Sequence, residues 1–445
     1  MLIRSISGVR GLTATRLTTD TVRRYVRAVH LLLPAGPVLL GRDTRPSGEL
    51  LLSAAAEELL RLGRHVISCG IVPTPTVQFM TETTEAVGGI ILTASHNPIE
   101  WNGLKFVRGD GTFFYPHQCE ELFRIFDENP DPPPATSAGL FWAEQNALQK
   151  HVIRVVERAV DRFTAIRQRK FKVVIDAVNG AGSQALPLLL ESLGCEVVPL
   201  YCDGTGDFLR GAEPLPENLG DLGRVVREQR ADAGFAVDPD ADRLAVVDET
   251  GTPLGEEYTL VLAADGYIRS RQTPETLVTN LSTSLALEKL AESRGWKVER
   301  SAVGEINVVQ KMIALKANLG GEGNGGVILK AVHLGRDSLV GAAMVLQRLA
   351  LEEQPLSGVF RSLPQYSIVK DRLPIQGIAP EELLNRIAER FPEAGQNRED
   401  GLKLSWPDSW VHIRASNTEP ILRMYGEAPT EPEARELIRR VRAVL

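Results

Sequence analysis

Three aspartates occupy alternate positions in the segment VDPDADR, directly after the apolar run 234–237. Asp238, Asp240 and Asp242 share one face if this segment is a strand, and they converge if it is a turn. Carboxylates this close are costly unless a cation offsets their charge, and an all-oxygen ligand set suits Mg²⁺ better than zinc. The spacing favours a magnesium site, with a solvated acidic turn as the plainer alternative. A haloacid-dehalogenase-type phosphatase would need a threonine nearby, where this chain has Arg243.

A serine lies in the segment TASHNP, directly after the apolar run 88–92. Ser95 is therefore expected at the carboxyl end of a strand, which is where open α/β sheets bind their ligands. His96 is next to it, and Lys105 follows, where its charge could neutralise a phosphate or its ammonium group could move protons. The alternative is an ordinary turn in which Ser95 caps a helix and Lys105 is solvated.

A third polar segment, RASNTEP, follows the strand-like run 410–413. It combines one arginine with three small hydrogen-bonding residues, namely Arg414, Ser416, Asn417 and Thr418. Such a loop can bind a phosphate dianion through charge-assisted hydrogen bonds and backbone N–H groups. Taken alone, the segment is explained equally well as a polar turn.

Two glycine-rich segments are similar to nucleotide-binding fingerprints. Segment 321–326 fits GxGxxG, but a strand follows it instead of the helix whose N-terminus would bind pyrophosphate, so we reject it as a dinucleotide site. Segment 180–185 fits GxGxxA between a strand and a helix, with Asp203 near the end of the next strand. An NAD-dependent oxidoreductase, a different class of enzyme, is therefore an alternative function for this chain. The sequence has no GKS or GKT phosphate loop.

The elements that must position these residues alternate between strands and helices in three successive stretches, which predicts an α/β protein. The proline-rich segment 129–137 is expected in a loop or linker. From residue 365 onward, separated strands and amphipathic helices predict a smaller α+β unit. We predict four domains, which span residues 1–150, 151–253, 254–362 and 363–445.

The composition is that of a globular protein, with 43% hydrophobic and 24% charged residues. A net charge of −7 gives no general attraction for phosphate backbones, so no nucleic acid partner is expected. The apolar runs are far shorter than the roughly 20 residues that cross a bilayer, so no membrane association is expected. Four cysteines without a CxxC pair indicate reduced thiols, and we predict a cytoplasmic protein.

Taken in order, the segments TASHNP, NGLK, DPDADR, GEGNGG and RASNTEP resemble those of the α-D-phosphohexomutase superfamily over nearly the whole chain. The segments GVRG at 8–11 and GRDTR at 41–45 are similar to others that line the site in that family. The resemblance implies three similar α/β/α domains with mixed sheets and a C-terminal, TATA-binding-protein-like α+β domain, all around a central cleft. It also implies an isomerase-class enzyme that interconverts hexose 6-phosphates and hexose 1-phosphates.

The same resemblance implies roles for the candidate residues. Ser95 would be a phosphoserine whose phosphate binds one Mg²⁺ per chain together with the three aspartates. Its phosphoryl group would pass to the sugar and return through a hexose 1,6-bisphosphate intermediate. His96 would lie beside it, and Lys105 and Arg10 would serve in proton transfer. The residues implied to contact the phosphosugar substrate are Arg243, Glu305, Glu322, Asn324, Arg414, Ser416, Asn417 and Thr418.

The preferred sugar depends on positions where this chain departs from the family pattern. Many members have a histidine where this chain has Gly326, and a histidine, aspartate or arginine is common where it has Glu305. The segments SGVRG, GEGNGG and RASNTEP are most similar to those of members labelled phosphoglucosamine mutases, and an acidic Glu305 would attract a cationic 2-amino group. Glucosamine phosphate is the first expectation, and phosphomannomutase or phosphoglucomutase activity is the alternative. A monomer and a homodimer are both compatible with the sequence.

Overall fold

The computed structural model describes residues 2–375, 379–415 and 421–444. These residues form four sheets, with seven, four, four and five strands in chain order. The first three sheets are mixed and are accompanied by helices, and the fourth is antiparallel. The predicted α/β class, with three similar units followed by a smaller α+β unit, is confirmed. No helix within the described ranges is both long enough and apolar enough to span a membrane.

The first unit contains seven strands and four helices: β1 (Ile3–Ser5), β2 (Gly8–Leu12), α1 (Thr19–Leu32), β3 (Val38–Arg42), α2 (Gly48–Arg61), β4 (Val66–Ile71), α3 (Thr74–Thr83), β5 (Gly88–Leu92), β6 (Trp101–Arg108), α4 (Pro116–Glu128) and β7 (Phe141–Ala143). The strand order is β1-β2-β6-β5-β3-β4-β7. Helix α1 shows why the sequence folds this way, since Val22, Tyr25, Val26 and Val29 are buried at helical spacing and Thr18 caps the first turn.

The second unit follows with its own four-stranded sheet: α5 (Ala147–Ala159), α6 (Phe163–Arg169), β8 (Lys172–Asp176), α7 (Gly182–Ser192), β9 (Glu196–Leu200), a 3-10 turn (Pro216–Asn218), α8 (Gly220–Gln229), β10 (Ala233–Val237) and β11 (Leu244–Asp248). Its strand order is β11-β10-β8-β9, and only β10 and β11 pair antiparallel. The β10 residues are all buried, as expected for a central strand with both faces covered.

The third unit repeats this plan: α9 (Glu257–Ser270), β12 (Thr276–Asn280), α10 (Leu285–Glu292), β13 (Lys297–Ser301), α11 (Glu305–Leu315), β14 (Leu319–Glu322), β15 (Gly326–Leu329), α12 (Ser338–Leu349) and α13 (Leu356–Arg361). Its sheet has the order β13-β12-β14-β15, again with one antiparallel edge pair. In the second and third units, the hairpin at that edge carries a segment singled out by the sequence. The DPDADR segment joins β10 to β11, and the GEGNGG segment spans β14 and β15.

The fourth unit is an antiparallel sheet with two helices: β16 (Ser367–Pro374), α14 (Pro380–Arg390), β17 (Gly395–Asn397), β18 (Leu402–Trp406), β19 (Ser409–Ala415), β20 (Ile421–Ala428) and α15 (Glu431–Arg442). Its strand order is β16-β20-β19-β18-β17. The amphipathic helices α14 and α15 bury their leucines and isoleucines together with one face of this sheet.

The apolar cores show how the four units are joined. One large cluster runs through the second and third units, and another combines residues of the first and third. Within the described ranges, the cluster of the fourth unit contains only residues of that unit. The fourth unit contacts the third through polar groups. Lys403 Nζ donates to the Leu281 carbonyl at 2.7 Å, and Ser282 Oγ lies 2.7 Å from His412 Nδ1. The first three units therefore form the continuous body that the fourth adjoins.

A buried polar cluster also links the first three units. In what we call the histidine cluster, His151 Nε2 lies 3.0 Å and His333 Nε2 3.3 Å from the same carboxylate oxygen of Asp337. His151 Nδ1 lies 3.0 Å from the hydroxyl of Thr76. These contacts connect α3, α5 and the loop before α12.

Candidate active site

Ser95 lies in the hairpin loop between the antiparallel strands β5 and β6, and it is 1% exposed. Its φ of 50° is in the left-handed region, which is uncommon for a residue other than glycine and is frequent at functional sites. The backbone N–H of Ser95 donates to Thr93 Oγ1 at 2.9 Å. The loop thus presents the Ser95 hydroxyl from a constrained backbone.

Arg45 holds the backbone of this loop in place. Its guanidinium is fully buried and donates to four carbonyl oxygens of the loop, those of Ser95 at 2.6 Å, Asn97 at 2.7 Å, Pro98 at 2.5 Å and Trp101 at 2.9 Å. Asp43 offsets its charge at 3.1 Å. The sequence placed the GRDTR segment along the site, whereas the structure shows that Arg45 acts on the loop backbone, a role that no local pattern signals.

The three aspartates form what we call the acidic cluster. They lie in the loop between β10 and β11, whose last paired residues are Val237 and Leu244, and Ala241 adopts a left-handed φ of 52° there. One oxygen from each carboxylate lies within 4.8 Å of the others, and the three residues are at most 1% exposed. The members are Asp238, Asp240 and Asp242. The segment is therefore a turn in which the carboxylates converge.

Ser95 and the acidic cluster meet although they are far apart in sequence. Ser95 Oγ donates to Asp238 Oδ2 at 3.0 Å, and both groups are buried. Burial, together with the nearby charges of Asp240 and Asp242, holds the pKa of Asp238 well above its usual range. Arg243 Nε, 4.0 Å from Asp238 Oδ2, opposes this rise only in part.

Lys105 lies on β6 and supplies part of the compensating charge. Its Nζ lies 2.6 Å from Asp240 Oδ2 and 3.1 Å from Asp242 Oδ2. Burial alone would lower the pKa of Lys105, but the two aspartates more than offset this and raise it. Burial also opposes ionisation of Asp240, yet Lys105 and the hydroxyl of Thr74, which donates at 2.7 Å, bring the pKa of that carboxyl below its usual range.

The acidic cluster has the donor set of a magnesium site. Oδ1 of Asp240 and Oδ1 of Asp242 are buried and have no hydrogen-bond partner among the described residues. Buried polar atoms are rarely left unpaired, and Mg²⁺ takes oxygen ligands almost exclusively. Together with Asp238 and the Ser95 hydroxyl, these orphaned oxygens fit a hard divalent cation.

His96 and Arg10 border the serine. His96 Nδ1 is 3.4 Å from Ser95 Oγ, and the positive charge of Arg243, burial and the charge of Arg10 hold the pKa of His96 well below its usual value. Arg10 lies on β2 opposite Gly103 of β6, and its Nη1 donates to Asn97 Oδ1 at 2.8 Å. Burial lowers the pKa of Arg10.

The sugar-contact candidates come together at the third unit. Glu322 ends β14, and its Oε1 accepts from Asn280 Nδ2 at 2.7 Å and from the Gly304 N–H at 3.0 Å. Asn324 Oδ1 accepts from the Gly326 N–H at 3.2 Å within the hairpin loop. Glu305 begins α11, and its Oε1 accepts from Gln78 Nε2 at 3.1 Å.

Arg336 connects these carboxylates, and sequence reasoning missed it. Its guanidinium donates to Glu305 Oε2 at 3.0 Å, to Glu322 Oε2 at 2.8 Å and to Asp242 Oδ2 at 2.7 Å. Arg336 stands in the segment HLGRDS, which matches no pattern that we considered. Only tertiary packing brings it between the sugar-contact candidates and the acidic cluster.

A cavity of about 260 Å³ joins these groups. Its lining includes five cationic side chains and two carboxylates: Arg10, Lys105, Arg243, Arg336, Arg423, Glu305 and Glu322. His96 and Asn324 also line it. This charge balance suits an anionic ligand. An adjoining cavity of about 240 Å³ shares Glu322, Asn324 and Arg243 and is also lined by Arg414.

Three arginines lie side by side on the sheet of the fourth unit. Arg423 of β20 is the register partner of both Arg372 of β16 and Arg414 of β19. Like charges placed directly opposite one another are unfavourable unless an anion compensates them. Arg414 lies 3.3 Å from Asp400, while Arg423 lines both cavities. The predicted phosphate contacts Ser416, Asn417 and Thr418 lie outside the described residues.

The glycine turn at 180–185, which resembles a dinucleotide fingerprint, is occupied by the aspartate loop of the same chain. The Ala181 N–H donates to the Pro239 carbonyl at 2.8 Å, and a Cβ on Gly180 would come within 2.6 Å of the same oxygen. The glycines therefore allow the aspartate loop to pack against the start of α7, at the place where a pyrophosphate would bind. This packing argues against the oxidoreductase alternative.

Family models match the chain in four consecutive parts. They are described as phosphoglucomutase/phosphomannomutase alpha/beta/alpha domains I, II and III, which match residues 2–132, 149–251 and 255–366, and the C-terminal domain of the same family, which matches residues 378–444. The matches follow the order of the four sheets.

Individual proteins are similar over nearly the whole chain. A protein of Thermococcus kodakarensis named "Phosphoglucomutase/phosphomannomutase" is 36% identical over 442 residues, covering 97% of this chain and 95% of its own. A Methanopyrus kandleri protein named "Probable phosphoglucosamine mutase" is 33% identical, with coverages of 97% and 95%. The crystal structure of a phosphoglucomutase/phosphomannomutase family protein from Burkholderia thailandensis superimposes with a TM-score of 0.87 at 27% identity, covering 100% of this chain and 98% of that one.

Proposed function

Since this chain belongs to the phosphoglucomutase/phosphomannomutase family, we propose that it interconverts hexose 6-phosphates and hexose 1-phosphates through a phosphorylated Ser95, with glucosamine phosphate as its principal substrate. The observation that carries the proposal is the contact of the Ser95 hydroxyl with Asp238, 3.0 Å apart inside the buried acidic cluster. The cavity with excess positive charge opens beside this contact, as a phosphosugar requires.

The proposed reaction has two transfers. In the first, the 1-hydroxyl of a hexose 6-phosphate attacks the phosphorus of phospho-Ser95, the bond to Oγ breaks, and the hydroxyl proton leaves to a base. The product is a hexose 1,6-bisphosphate, which turns over within the cleft. In the second, Ser95 Oγ attacks the 6-phosphate, which restores the phosphoserine and releases hexose 1-phosphate. Phosphoryl transfer of this kind depends mainly on in-line positioning and charge compensation.

The chain's own residues supply most of what these transfers need. A Mg²⁺ held by the acidic cluster and the serine phosphate would offset charge on the transferring group. Arg45 keeps the Ser95 backbone fixed, so that its oxygen can serve as acceptor and leaving group in turn. Lys105 and Arg10 line the cavity and are the proposed groups for proton transfer at the sugar hydroxyl.

The non-reacting phosphate would bind at the fourth unit. We propose that Arg414 holds it together with Ser416, Asn417 and Thr418. Arg423 lines both the cavity of about 260 Å³ that Lys105 and His96 also line and the adjoining cavity of about 240 Å³. It therefore extends this phosphate site towards Ser95. A bisphosphate that turns over would present a phosphate to the same arginines in either orientation.

A second candidate substrate class is the neutral hexose phosphates, those of glucose and mannose. It is favoured by the environment of Glu305, whose two carboxylate oxygens are already bound by Gln78 and Arg336. A carboxylate so engaged attracts a sugar ammonium group only weakly. Kinetics with glucosamine, mannose and glucose 6-phosphates, compared by kcat/KM, separate the two candidates.

The cellular setting belongs to the same proposal. We propose a cytoplasmic enzyme that acts as a monomer or homodimer. The four cysteines are free, and burial raises the pKa of Cys69, Cys119 and Cys195 to about 12, which leaves these thiols poorly reactive.

The test of the mechanism is the phosphorylation state of Ser95. Wild-type protein incubated with glucose 1,6-bisphosphate should gain one phosphoryl group by intact-mass analysis, and peptide mapping should place it on Ser95. Ser95→Ala should gain none, and its turnover should fall by about 10⁴-fold or more, as expected when a nucleophile is removed. Ser53→Ala, which changes an exposed serine on α2 of the same unit, is the matched control and should behave like wild type. A fully active Ser95→Ala protein would rule the mechanism out.

A further inference from the structure

Arg336 makes three ion pairs in three directions from one largely buried guanidinium. Its side chain is 10% exposed, and its nitrogens Nε, Nη1 and Nη2 bind Glu305, Glu322 and Asp242 at 3.0, 2.8 and 2.7 Å. A planar guanidinium can serve three acceptors at once, whereas an ammonium group offers a single point charge. Arg336 therefore joins two carboxylates of the sugar-contact region to one aspartate of the acidic cluster.

Gly326 provides the space that this arginine occupies. A Cβ at position 326 would come within 2.2 Å of Arg336 Cδ and 2.7 Å of Arg336 Cγ. Real Cβ atoms do not approach carbon atoms so closely, so any other residue at 326 would displace the arginine stem. The backbone of Gly326 pairs regularly with Glu322 at the start of β15. Glycine at position 326 therefore leaves the space in which the Arg336 side chain packs.

The effect of Arg336 on the cavity is electrostatic. Glu305 and Glu322 are the two carboxylates in the cavity lining, and Arg336 binds both. Their remaining oxygens are also occupied, Glu305 Oε1 by Gln78 and Glu322 Oε1 by Asn280. A cationic group on a sugar in this cavity would therefore meet carboxylates whose charge is already offset.

We infer that Arg336 is a specificity-determining residue: by pairing with Glu305 and Glu322, it lets a site whose principal substrate is glucosamine phosphate also act on neutral hexose phosphates. This inference rests on the proposed mutase function. It predicts that wild-type kcat/KM values for glucosamine 6-phosphate and mannose 6-phosphate differ by no more than about tenfold at pH 7. It further predicts that removing the Arg336 charge uncovers a preference for the amino sugar, because two buried carboxylates would then face the cavity.

The experiment measures the ratio of kcat/KM for glucosamine 6-phosphate to that for mannose 6-phosphate. In Arg336→Met the ratio should rise by about tenfold or more, while turnover falls for both sugars because Asp242 loses one of its cationic partners and keeps only Lys105 on the same oxygen. Arg336→Lys keeps the charge but cannot pair with all three carboxylates at once, so its ratio should lie between those of wild type and Arg336→Met. Gly326→Ala displaces the arginine without altering its charge directly and should shift the ratio in the same direction as Arg336→Met.

A second substitution tests whether the exposed carboxylate is the cause. In Arg336→Met/Glu305→Gln the ratio should return towards the wild-type value, whereas Glu305→Gln alone should change it little. The shift should also vanish at a pH well above the pKa of the sugar amine. If Arg336→Met turns over too slowly for kinetics, calorimetric binding of the two sugar phosphates gives the same comparison.

Two results would overturn the inference. One is an Arg336→Met protein in which both sugars lose the same factor, since a purely structural role predicts equal losses. The other is a wild-type enzyme that already prefers glucosamine 6-phosphate by clearly more than about tenfold. Failure of the mutase function itself would look different, because wild-type protein would then turn over neither sugar.

Discussion

Two buried clusters among the described residues place three potential metal ligands together, and they differ in charge and in hydrogen bonding. In both, the ligand atoms lie within 4.8 Å of one another and the side chains are buried. In the histidine cluster a single carboxylate faces two imidazoles, and the second oxygen of Asp337 accepts the Leu339 N–H at 2.9 Å at the start of α12. In the acidic cluster three carboxylates crowd together and two of their oxygens have no hydrogen-bond partner among the described residues, whereas in the histidine cluster the corresponding atom is one ring nitrogen, His333 Nδ1.

This difference in charge and hydrogen bonding separates a cluster that stabilises the fold from one that is suited to bind a cation. The histidine cluster consists of hydrogen bonds that link the first three units, so we interpret it as structural. In the acidic cluster, Lys105, Arg336 and Arg243 face three carboxylates, yet two carboxylate oxygens lack hydrogen bonds, so we interpret it as a cation site. The spacing of the ligand atoms is alike in the two, and the accumulation of three carboxylates, against one carboxylate paired with two imidazoles, distinguishes them.

Asp238→Asn should give the largest effect, because it removes one of the carboxylates that a divalent ion needs. Turnover should fall by about 10³-fold, while the amide oxygen can still accept the Ser95 hydrogen bond. Wild type at 100 times its Mg²⁺ dissociation constant should gain about 2.7 kcal/mol of stability. The variant should gain almost none, which thermal unfolding with and without Mg²⁺ measures.

Metal-free protein sharpens this prediction. Asp238→Asn should then be at least as stable as wild type, because the high pKa of Asp238 reflects an ionised state that is costly without a cation. Marked destabilisation of the metal-free variant would mean that the acidic cluster is a structural feature like the histidine cluster.

Asp337→Asn makes the corresponding change in the histidine cluster and should affect stability instead of chemistry. Only one acceptor oxygen would remain at position 337, so either the two imidazoles or the Leu339 N–H would lose its acceptor, and the free energy of unfolding should fall by about 2–3 kcal/mol. At a temperature where the variant is folded, its kcat and its stabilisation by Mg²⁺ should match those of wild type. If Mg²⁺ no longer stabilised Asp337→Asn, the histidine cluster would have to take part in metal binding, and the two clusters could not be distinguished in this way.

Glu257→Gln should give the smallest change, a small gain in the free energy of unfolding. Glu257 lies at the boundary between the third and fourth units, near Lys370. Burial and the adjacent Glu256 raise the pKa of Glu257 to about 7, and Lys370 of β16 partly opposes this. A raised carboxyl pKa means that stability falls as pH rises from the unfolded value through about 7. Glu257→Gln should therefore be more stable than wild type by about 1 kcal/mol at pH 8, and the gain should disappear near pH 4.

Denaturant melts across this pH range test the Glu257 prediction. The exposed Glu436→Gln on α15 is a matched control and should show no such change. A gain for Glu257→Gln that stays constant with pH would exclude ionisation of Glu257 as the cause.

The sequence predicted the elements and segments whose signals are local. The α/β units follow from hydrophobic periodicity, and VDPDADR and TASHNP were recognised because residue types and spacing alone suggest their chemistry. The contact between Ser95 and Asp238 required the packing of two units and entered only through the family resemblance.

What the sequence did not predict depends on long-range packing. Arg336 and Arg45 stand in segments without a distinctive pattern, and their roles come from partners far along the chain. The glycine turn at Gly180 shows the converse problem. Its local geometry would serve a pyrophosphate as well as a packed loop, and only the position of Pro239 decides.

The most direct test of the account is a single-turnover reaction of protein phosphorylated on Ser95. Labelled with ³²P on Ser95 and mixed with glucosamine 6-phosphate and Mg²⁺ in a rapid-quench instrument, it should pass the label to the sugar at least as fast as kcat, first into the 1,6-bisphosphate and then into position 1 of the product. Asp337→Asn should do the same, and Asp238→Asn should transfer about 10³-fold more slowly. A labelled phosphoryl group that stays on Ser95 through many turnovers, or that transfers equally fast from Asp238→Asn, would contradict the account.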